Sequence, residues 1–535
     1  MWNSVRARIE ELLADYRIPS AAIGVWQDGQ ITDLAAGVRN AVTREPARPD
    51  TVYQCGSMTK TWTALAFMQL VDEGKADLDE PVRTHLPAFR VADPEVSEGL
   101  TPRHLLNHTN GIEEAYGDPG EDDDVYERMV ANIAGAPPQV FPPGPHPRLQ
   151  RGPRVRDPRP RHGGHRRRAV GRRHAAPPLR PLGLTGTSTG PADPDRASTG
   201  HLVGPDGPVI SPVPRLPRAF GPGGGISSTA RDVLTMAHVL LDGGRAPDGT
   251  RVLSEQAITT MLESRVPVPD AYGFGPEWAL GLMVSDWHGR TVYGHDGSTV
   301  GHSARLRMIP DAGLALVLLT NAGPREAFFR EVCDAILPEL GGPAIPELPR
   351  PTTESPSRYE GVYERPGTRY TLSAEDGRPR LTYTVHPALT AEPEQRICEL
   401  LPVDDTQFLV IDPVEDPWTI ALFDVRDGVP QYLHADCRVF PRAPDKGAGV
   451  HVVAVSTVSD ADRFWDALKS AYGQLPRGAA WTVAVAGTDG TKAVNVIVHD
   501  SVDGVRSFVE RHVGPYATTE YFEADAANAV GLPAV

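Results

Sequence analysis

Four cysteines in 535 residues, at Cys55, Cys333, Cys398 and Cys437, are too sparse and unpatterned for a disulfide framework and imply reduced thiols. No run approaches the ~18 apolar residues that span a bilayer. The opening stretch, MWNSVRARIEELLADYRIPS, reads as a charged amphipathic helix without the apolar core of a signal peptide. These absences predict a cytoplasmic chain with no membrane partner. Basic charge is also short: 53 Lys and Arg face 69 Asp and Glu, for a net charge of −16. Such a body repels polyphosphate and excludes a general nucleic-acid partner. What remains is ordinary for a soluble globular protein, 40% hydrophobic and 7% aromatic. The length suits about three domains at ~150 residues each.

One stretch breaks this pattern. Residues 145–180 hold twelve arginines, seven prolines, four histidines, one acidic residue and no aromatic. Three readings treat it as native: a nucleic-acid arm, a His-rich metal tract, or a disordered insertion. Prolines at 145, 147, 153, 158 and 160 forbid a helix over its first half. The lack of aromatics removes stacking platforms for bases.

Elsewhere the chain is legible. AAIGVWQDGQITDLAAG alternates around the Asp28-Gly29 turn signal and predicts a β-hairpin. In SMTKTWTALAFMQLVDEG, Ser57 is expected to cap a helix that Gly74 ends. SSTARDVLTMAHVLLDGG predicts another helix, capped by Ser227 or Ser228 and stopped at Gly243. TVYGHDGSTVGHSARLRMIPDAGLALVLLTNAG reads as antiparallel strands broken at Pro310–Gly313, and EAFFREVCDAILPEL as a closing helix. Together these indicate an α+β domain over 1–342. A proline-rich linker at 343–356 leads to short alternating segments over 357–445, expected to form a small β-barrel or sandwich. Residues 450–535 follow a β-α-β-β-α order, with a hairpin turn at Asp489-Gly490 and room for a final strand, as in a ferredoxin-like α/β module.

The sharpest chemical signal is SMTK. Ser57 and Lys60, at i and i+3, project from one helix face. A hydroxyl needs a base to become a nucleophile, and a lysine serves once burial and the positive helix end disfavour its ammonium form. The Ser57 N–H at that helix start is suited to hold an oxyanion. Serine and lysine at this spacing also occur by chance on many helices. The Gly223-Gly224-Gly225 run lacks the Lys-Ser/Thr of a phosphate loop and reads as a tight approach to the helix behind it. His104 and His108 share the i, i+4 spacing of one helix face, with no glutamate between them, and read as structural. Cys55 reads as core packing.

The text around SMTK resembles the serine β-lactamase and penicillin-binding protein family, especially its class C and esterase-like branch. The resemblance runs in order through YQCGSMTKTWTALAFMQLVDEGKADLDEPV, LTPRHLLNHTNGI, VFPPG, PLGLTGTS, GPGGGISSTARDVLTMAHVLLDGG and YGHDGSTVGHSA. It implies a β-lactamase/transpeptidase-like fold, an antiparallel sheet flanked by helices with a helical subdomain, and catalysis by Ser57 and Lys60 without metal or cofactor. The strand-borne Lys/His-x-Gly motif of the family corresponds to His295-Asp296-Gly297. His295 and Gly297 would then line the acyl groove, and the Ser298 N–H would complete the oxyanion hole. Histidine in place of lysine weakens recognition of a substrate carboxylate, so an ester, amide or D-amino-acid peptide is expected at least as much as a penicillin.

The family's Tyr-x-Asn motif should follow FPPG, yet no tyrosine stands between Tyr126 and Tyr272. Codon degeneracy offers a reason. Leu149-Gln150-Arg151-Gly152 written CTA-CAG-CGG-GGC becomes Tyr-Ser-Gly when shifted by one base. The same phase turns the rest of the stretch into apolar-periodic text that runs into PLGL. Two compensating frame changes are therefore the favoured reading of 145–180, and the literal chain is expected to fold poorly and act little. The contrasting functional reading is a catalytically silent protein that uses the hydrolase fold to bind a ligand or partner.

Overall fold

The computed structural model describes residues 2–112, 122–134, 143, 182–190, 192–204, 206–323, 326–352, 359–365, 368–385, 394–413, 416–435, 438–443, 450–472, 475, 479–487, 490–499 and 501–524. The arginine-rich segment 145–180, Cys437 and Asp489 lie outside them.

The amphipathic first helix, Trp2–Asp15, buries Val5, Ile9, Leu12 and Leu13. It packs beside the expected hairpin, whose Gln27 and Gln30 pair across the turn. Asp28 and Gly29 both take left-handed backbone, the geometry that joins right-twisted strands in two residues. This hairpin edges an eight-stranded antiparallel sheet. In space the strands run Gln30–Gly37, Ser20–Gln27, Leu314–Thr320, His302–Ile309, Arg290–Thr299, Leu282–Trp287, Glu277–Ala279 and Val266–Pro267. Leu314–Thr320 is buried throughout, as befits a strand covered on both faces. One face carries Trp2–Asp15 and Glu326–Ile336 over Leu12, Ile23, Leu316, Phe328 and Phe329. The other carries Thr59–Asp72 and Ala230–Leu241 over Trp62, Leu65, Leu234 and Leu306. A satellite core of Val82, Phe89, Val91 and Leu100 holds short helices together beside this face.

Three local expectations are corrected. Ser57 does not cap its helix: it lies within the 3-10 turn Gly56–Met58, and Met58 is the cap of Thr59–Asp72. Ser227 and Ser228 pair as a strand with Tyr53-Gln54, so Thr229 caps Ala230–Leu241 by accepting the Asp232 N–H. His104 and His108 share no helix face, because Pro102–Leu106 ends before His108 is reached.

Beyond the main sheet, eight strands from Gly361–Arg365 to Arg438–Pro441 form an antiparallel meander. A Tyr363–Arg442 bridge joins its two ends, giving a nearly closed barrel filled by Tyr363, Leu381, Phe408, Ile420 and Leu433. A four-stranded antiparallel sheet follows, ordered Ala480–Ala486, Lys492–His499, Val450–Val458, Ala517–Glu523. The helices Ala461–Tyr472 and Val502–Val513 cover one of its faces through Phe464 and Phe508. This is the ferredoxin-like split βαβ arrangement, with a final strand. Among the described residues no helix is long and apolar enough to cross a membrane.

Candidate active site

Ser57 and Lys60 meet. Lys60 Nζ lies 2.8 Å from Ser57 Oγ and donates a second hydrogen bond, at 3.0 Å, to the Gly223 carbonyl. The glycine run thus does approach the helix, closely enough for its Gly223 carbonyl to meet Lys60. Thr63 donates to Pro222 O, and Ile226 N–H donates to Thr59 Oγ1, so the run is fastened on both sides of Lys60. Only this fastening explains how a carbonyl comes to face an amine there. These two contacts aim the amine at the hydroxyl.

The strand Arg290–Thr299 crosses directly over the 3-10 turn. Gly56 takes φ +50, and a side chain there would lie 2.5 Å from Ser298 N. A methyl group on Gly297 would lie 2.7 Å from Met58 N and 2.8 Å from Ser57 N, with the Cys55 carbonyl closer still. Glycine at both positions lets two backbones touch, which brings the N–H groups of Ser57 and Ser298 into one small region. Cys55 packs below, fully buried, with burial pushing its thiol up to about 12. That fits core packing and removes it as a nucleophile.

His295 is buried at 3% exposure. Burial, then the nearby Lys60 charge, lowers its pKa to about 4, so it is neutral at pH 7. Its Nδ1 lies 2.6 Å from the Asp296 carbonyl, which assigns the proton to Nδ1 and leaves Nε2 as an acceptor; Nε2 has no partner among the described residues. Burial alone would raise the Asp296 carboxyl, but Arg307 and Arg305 outweigh it and hold the pKa near 2. Arg307 grips that carboxylate with both of its terminal nitrogens.

Two residues escaped the sequence reading. Trp278 stands edge-on to both His295, at 5.4 Å between ring centres, and His108, at 4.8 Å. His108 is solvent-accessible and holds φ +59, the left-handed backbone of a turn that non-glycine residues adopt less readily than glycine. The signal was the turn-prone NHTNG after the helix, where the chain must reverse. His104 remains structural, its Nδ1 meeting the Thr101 N–H at 3.2 Å. Among the described residues no group of three or more His, Cys, Asp or Glu stands ready for a metal ion.

The segment after the arginine stretch is well anchored. Asp232 accepts hydrogen bonds from Gly186 N and Thr187 Oγ1, both at 2.8 Å. The family model described as Beta-lactamase matches residues 5–148 and 178–337, omitting 149–177 inside that stretch. Penicillin-binding protein 4 of Amycolatopsis lactamdurans is 36% identical over 378 residues, 67% of this chain and 97% of its own length. Esterase EstB of Burkholderia gladioli is 35% identical over 111 residues, 20% of this chain and 28% of its own. The solved structure of SurE superposes with a TM-score of 0.61 at 25% identity, covering 82% of this chain and 98% of SurE. The D-amino acid amidase of Ochrobactrum anthropi SV3 shares the fold, with a TM-score of 0.50 at 19% identity over 64% and 99% of the two chains. The chain belongs to the beta-lactamase family of serine hydrolases.

Proposed function

We propose that Ser57 is the nucleophile of an acyl-transfer hydrolase acting on a small ester, amide or D-amino-acid peptide. The observation that carries this reading is the 2.8 Å contact between Lys60 Nζ and Ser57 Oγ beneath the Gly297-Ser298 backbone. In the reactive state Lys60 is neutral and receives the hydroxyl proton as Oγ attacks the carbonyl carbon. The N–H groups of Ser57 and Ser298 hold the oxygen that gains charge. The proton then passes to the leaving group, and water releases the acyl chain from Ser57. His295 lines the groove as a neutral acceptor, which supports an uncharged substrate group over a carboxylate. The related esterase and amidase favour the same substrate classes.

We assign the hydrolase to residues 1–342, with a linker at 343–356, the barrel at 357–445 and the ferredoxin-like module at 450–535. The buried free thiols Cys55, Cys333 and Cys398 support a reducing, cytoplasmic setting. The absent tyrosine favours a second reading of the literal chain, a silent binder. Labelling with a fluorescent fluorophosphonate or penicillin separates the two. Labelling of a frame-restored chain that vanishes in Ser57→Ala supports the enzyme. Labelling that survives the substitution removes Ser57, and no labelling of the restored chain favours the binder.

A further inference from the structure

The wall of the site is attached to the barrel. Between Val266–Pro267 and Glu277–Ala279 the chain makes a loop, closed at its base by Val268 N–H donating to Pro276 O. At its tip sits Asp270, 2% exposed although charged. Its Oδ1 accepts the N–H groups of Tyr272 and Gly273, both at 3.1 Å. The remaining partner comes from 149 residues away: Thr419 Oγ1 lies 2.8 Å from Oδ1 and 3.0 Å from Oδ2. Thr419 is itself buried, on the barrel strand Trp418–Arg426. On the next strand His434 is buried beside the same carboxylate, whose charge opposes the fall that burial imposes on the imidazole. The loop therefore inserts a carboxylate into a polar socket in the barrel side.

Three residues before Thr419, Asp416 accepts Glu326 N–H at 2.8 Å and Ala327 N–H at 3.3 Å, at the start of Glu326–Ile336. One corner of the barrel thus grips the hydrolase domain at two points, a loop and a helix start. The Asp270 grip leads straight to the reaction centre. Eight residues on, Trp278 stands between His108 and His295. The turn that follows rests on the nucleophile helix: Thr61 Oγ1 donates to Gly281 O at 2.8 Å, and a methyl on Gly281 would lie 2.7 Å from Ala64 Cβ and 3.1 Å from Lys60 O.

We propose that the barrel is a clamp on the acyl groove, with Thr419 and Asp270 as positioning residues that hold Trp278 between the two histidines. The meaning of that place rests on the hydrolase reading above; the clamp itself is testable without turnover. The full chain is labelled with 5-fluorotryptophan, and the Trp278 fluorine resonance is identified as the one missing from Trp278→Phe. Trp26, packed against His238 on the opposite part of the sheet, serves as the folding control. Thr419→Val removes the donor at nearly constant volume, Asp270→Asn removes the charge, and Thr419→Ser keeps the hydroxyl. The expected result is a Trp278 resonance displaced by more than its linewidth, or broadened away, in Thr419→Val and Asp270→Asn. Trp26 should stay unmoved, and Thr419→Ser should match the parent. Should Thr419→Val not fold, Asp270→Asn decides. A Trp278 resonance unmoved in the folded variants, moved together with Trp26, or moved equally by Thr419→Ser overturns the clamp. If Trp278 responds as expected while Ser57 never labels, the clamp stands and the hydrolase reading falls.

Discussion

Gly297→Ala tests the backbone contact on which the oxyanion site depends. The added methyl would meet Met58 N at 2.7 Å and Ser57 N at 2.8 Å, where ordinary contact begins at 3.4 Å. The obstruction is backbone on a turn, so no side-chain rotation relieves it. Met58 N alone requires the strand to retreat by 0.7 Å from the turn that carries Ser57, and the nearer Cys55 carbonyl requires more. Overpacking of this kind costs about 1–3 kcal/mol in stability. A displacement of ~1 Å between reacting groups and their donors costs on the order of 100-fold in rate. In a frame-restored chain, the second-order rate of fluorophosphonate labelling at Ser57 should therefore drop by about two orders of magnitude, with the urea midpoint shifted down. Gly99→Ala is the control. It stands at the end of the helix Pro94–Gly99 with open space around its methyl, and should be neutral or stabilising by ~0.4–1 kcal/mol. A Gly297→Ala chain that labels at the parental rate with unchanged stability would show that the two N–H groups do not depend on this contact.

Other consequences follow from the same structure. The frame-restored chain should label at Ser57 and melt cooperatively, whereas the literal chain should label at least 100-fold more slowly; equal rates would remove the missing tyrosine from the mechanism. Its nucleotide sequence across codons 144–181 should carry two compensating single-base changes. His295 and His302 are both buried and titrate near 4 in the fold against 6.5 unfolded. Between those values the unfolded chain binds the extra proton, so stability falls with pH by about 3 kcal/mol per imidazole on reaching pH 4; denaturant melts that are flat from pH 6.5 to 4 would contradict this burial. Burial raises the thiols of Cys55 and Cys333, so no more than two of the four cysteines should react with a thiol reagent before unfolding.

What the sequence revealed and what it hid divide along a physical line. Features written in local periodicity were legible: the hairpin at Asp28-Gly29, the helix bearing Lys60, the strands around Pro310–Gly313 and the ferredoxin-like order near the end. Caps were less so, because serine and threonine compete for the same N–H groups. Ser227 and Ser228 lost to Thr229 once tertiary pairing with Tyr53-Gln54 had claimed them as strand. Ser57 and Lys60 were visible because one helical turn separates them. Trp278 and His108 were not, since their contact depends on a loop meeting a strand about 170 residues later, and no spacing rule encodes that distance. The same holds for Asp270, on a loop of the main sheet, and Thr419, on a strand of the barrel.

The residues proposed for catalysis thus sit on segments of unequal security. Ser57 is fixed by the 3-10 turn Gly56–Met58 and by the close glycine contacts of Gly56 and Gly297. His295 is fixed by a central strand, with Asp296 bound to Arg305 and Arg307 behind it. The tyrosine's segment alone is missing from the text. Its neighbours on both sides, up to Arg148 and from Pro178, retain the family pattern, and Thr187 is still bonded to Asp232. Gly56 and Gly297 are kept by packing whether or not the chain acts, since a methyl on either meets backbone. The pairing of Lys60 with Ser57 Oγ and Gly223 O is different, because a partly buried lysine is costly to hold without a task. The survival of that pairing beside one block of out-of-phase text favours a disturbance of the reading frame over drift of the whole site, and the nucleotide sequence across codons 144–181 decides whether the disturbance lies in the gene or in the recorded sequence.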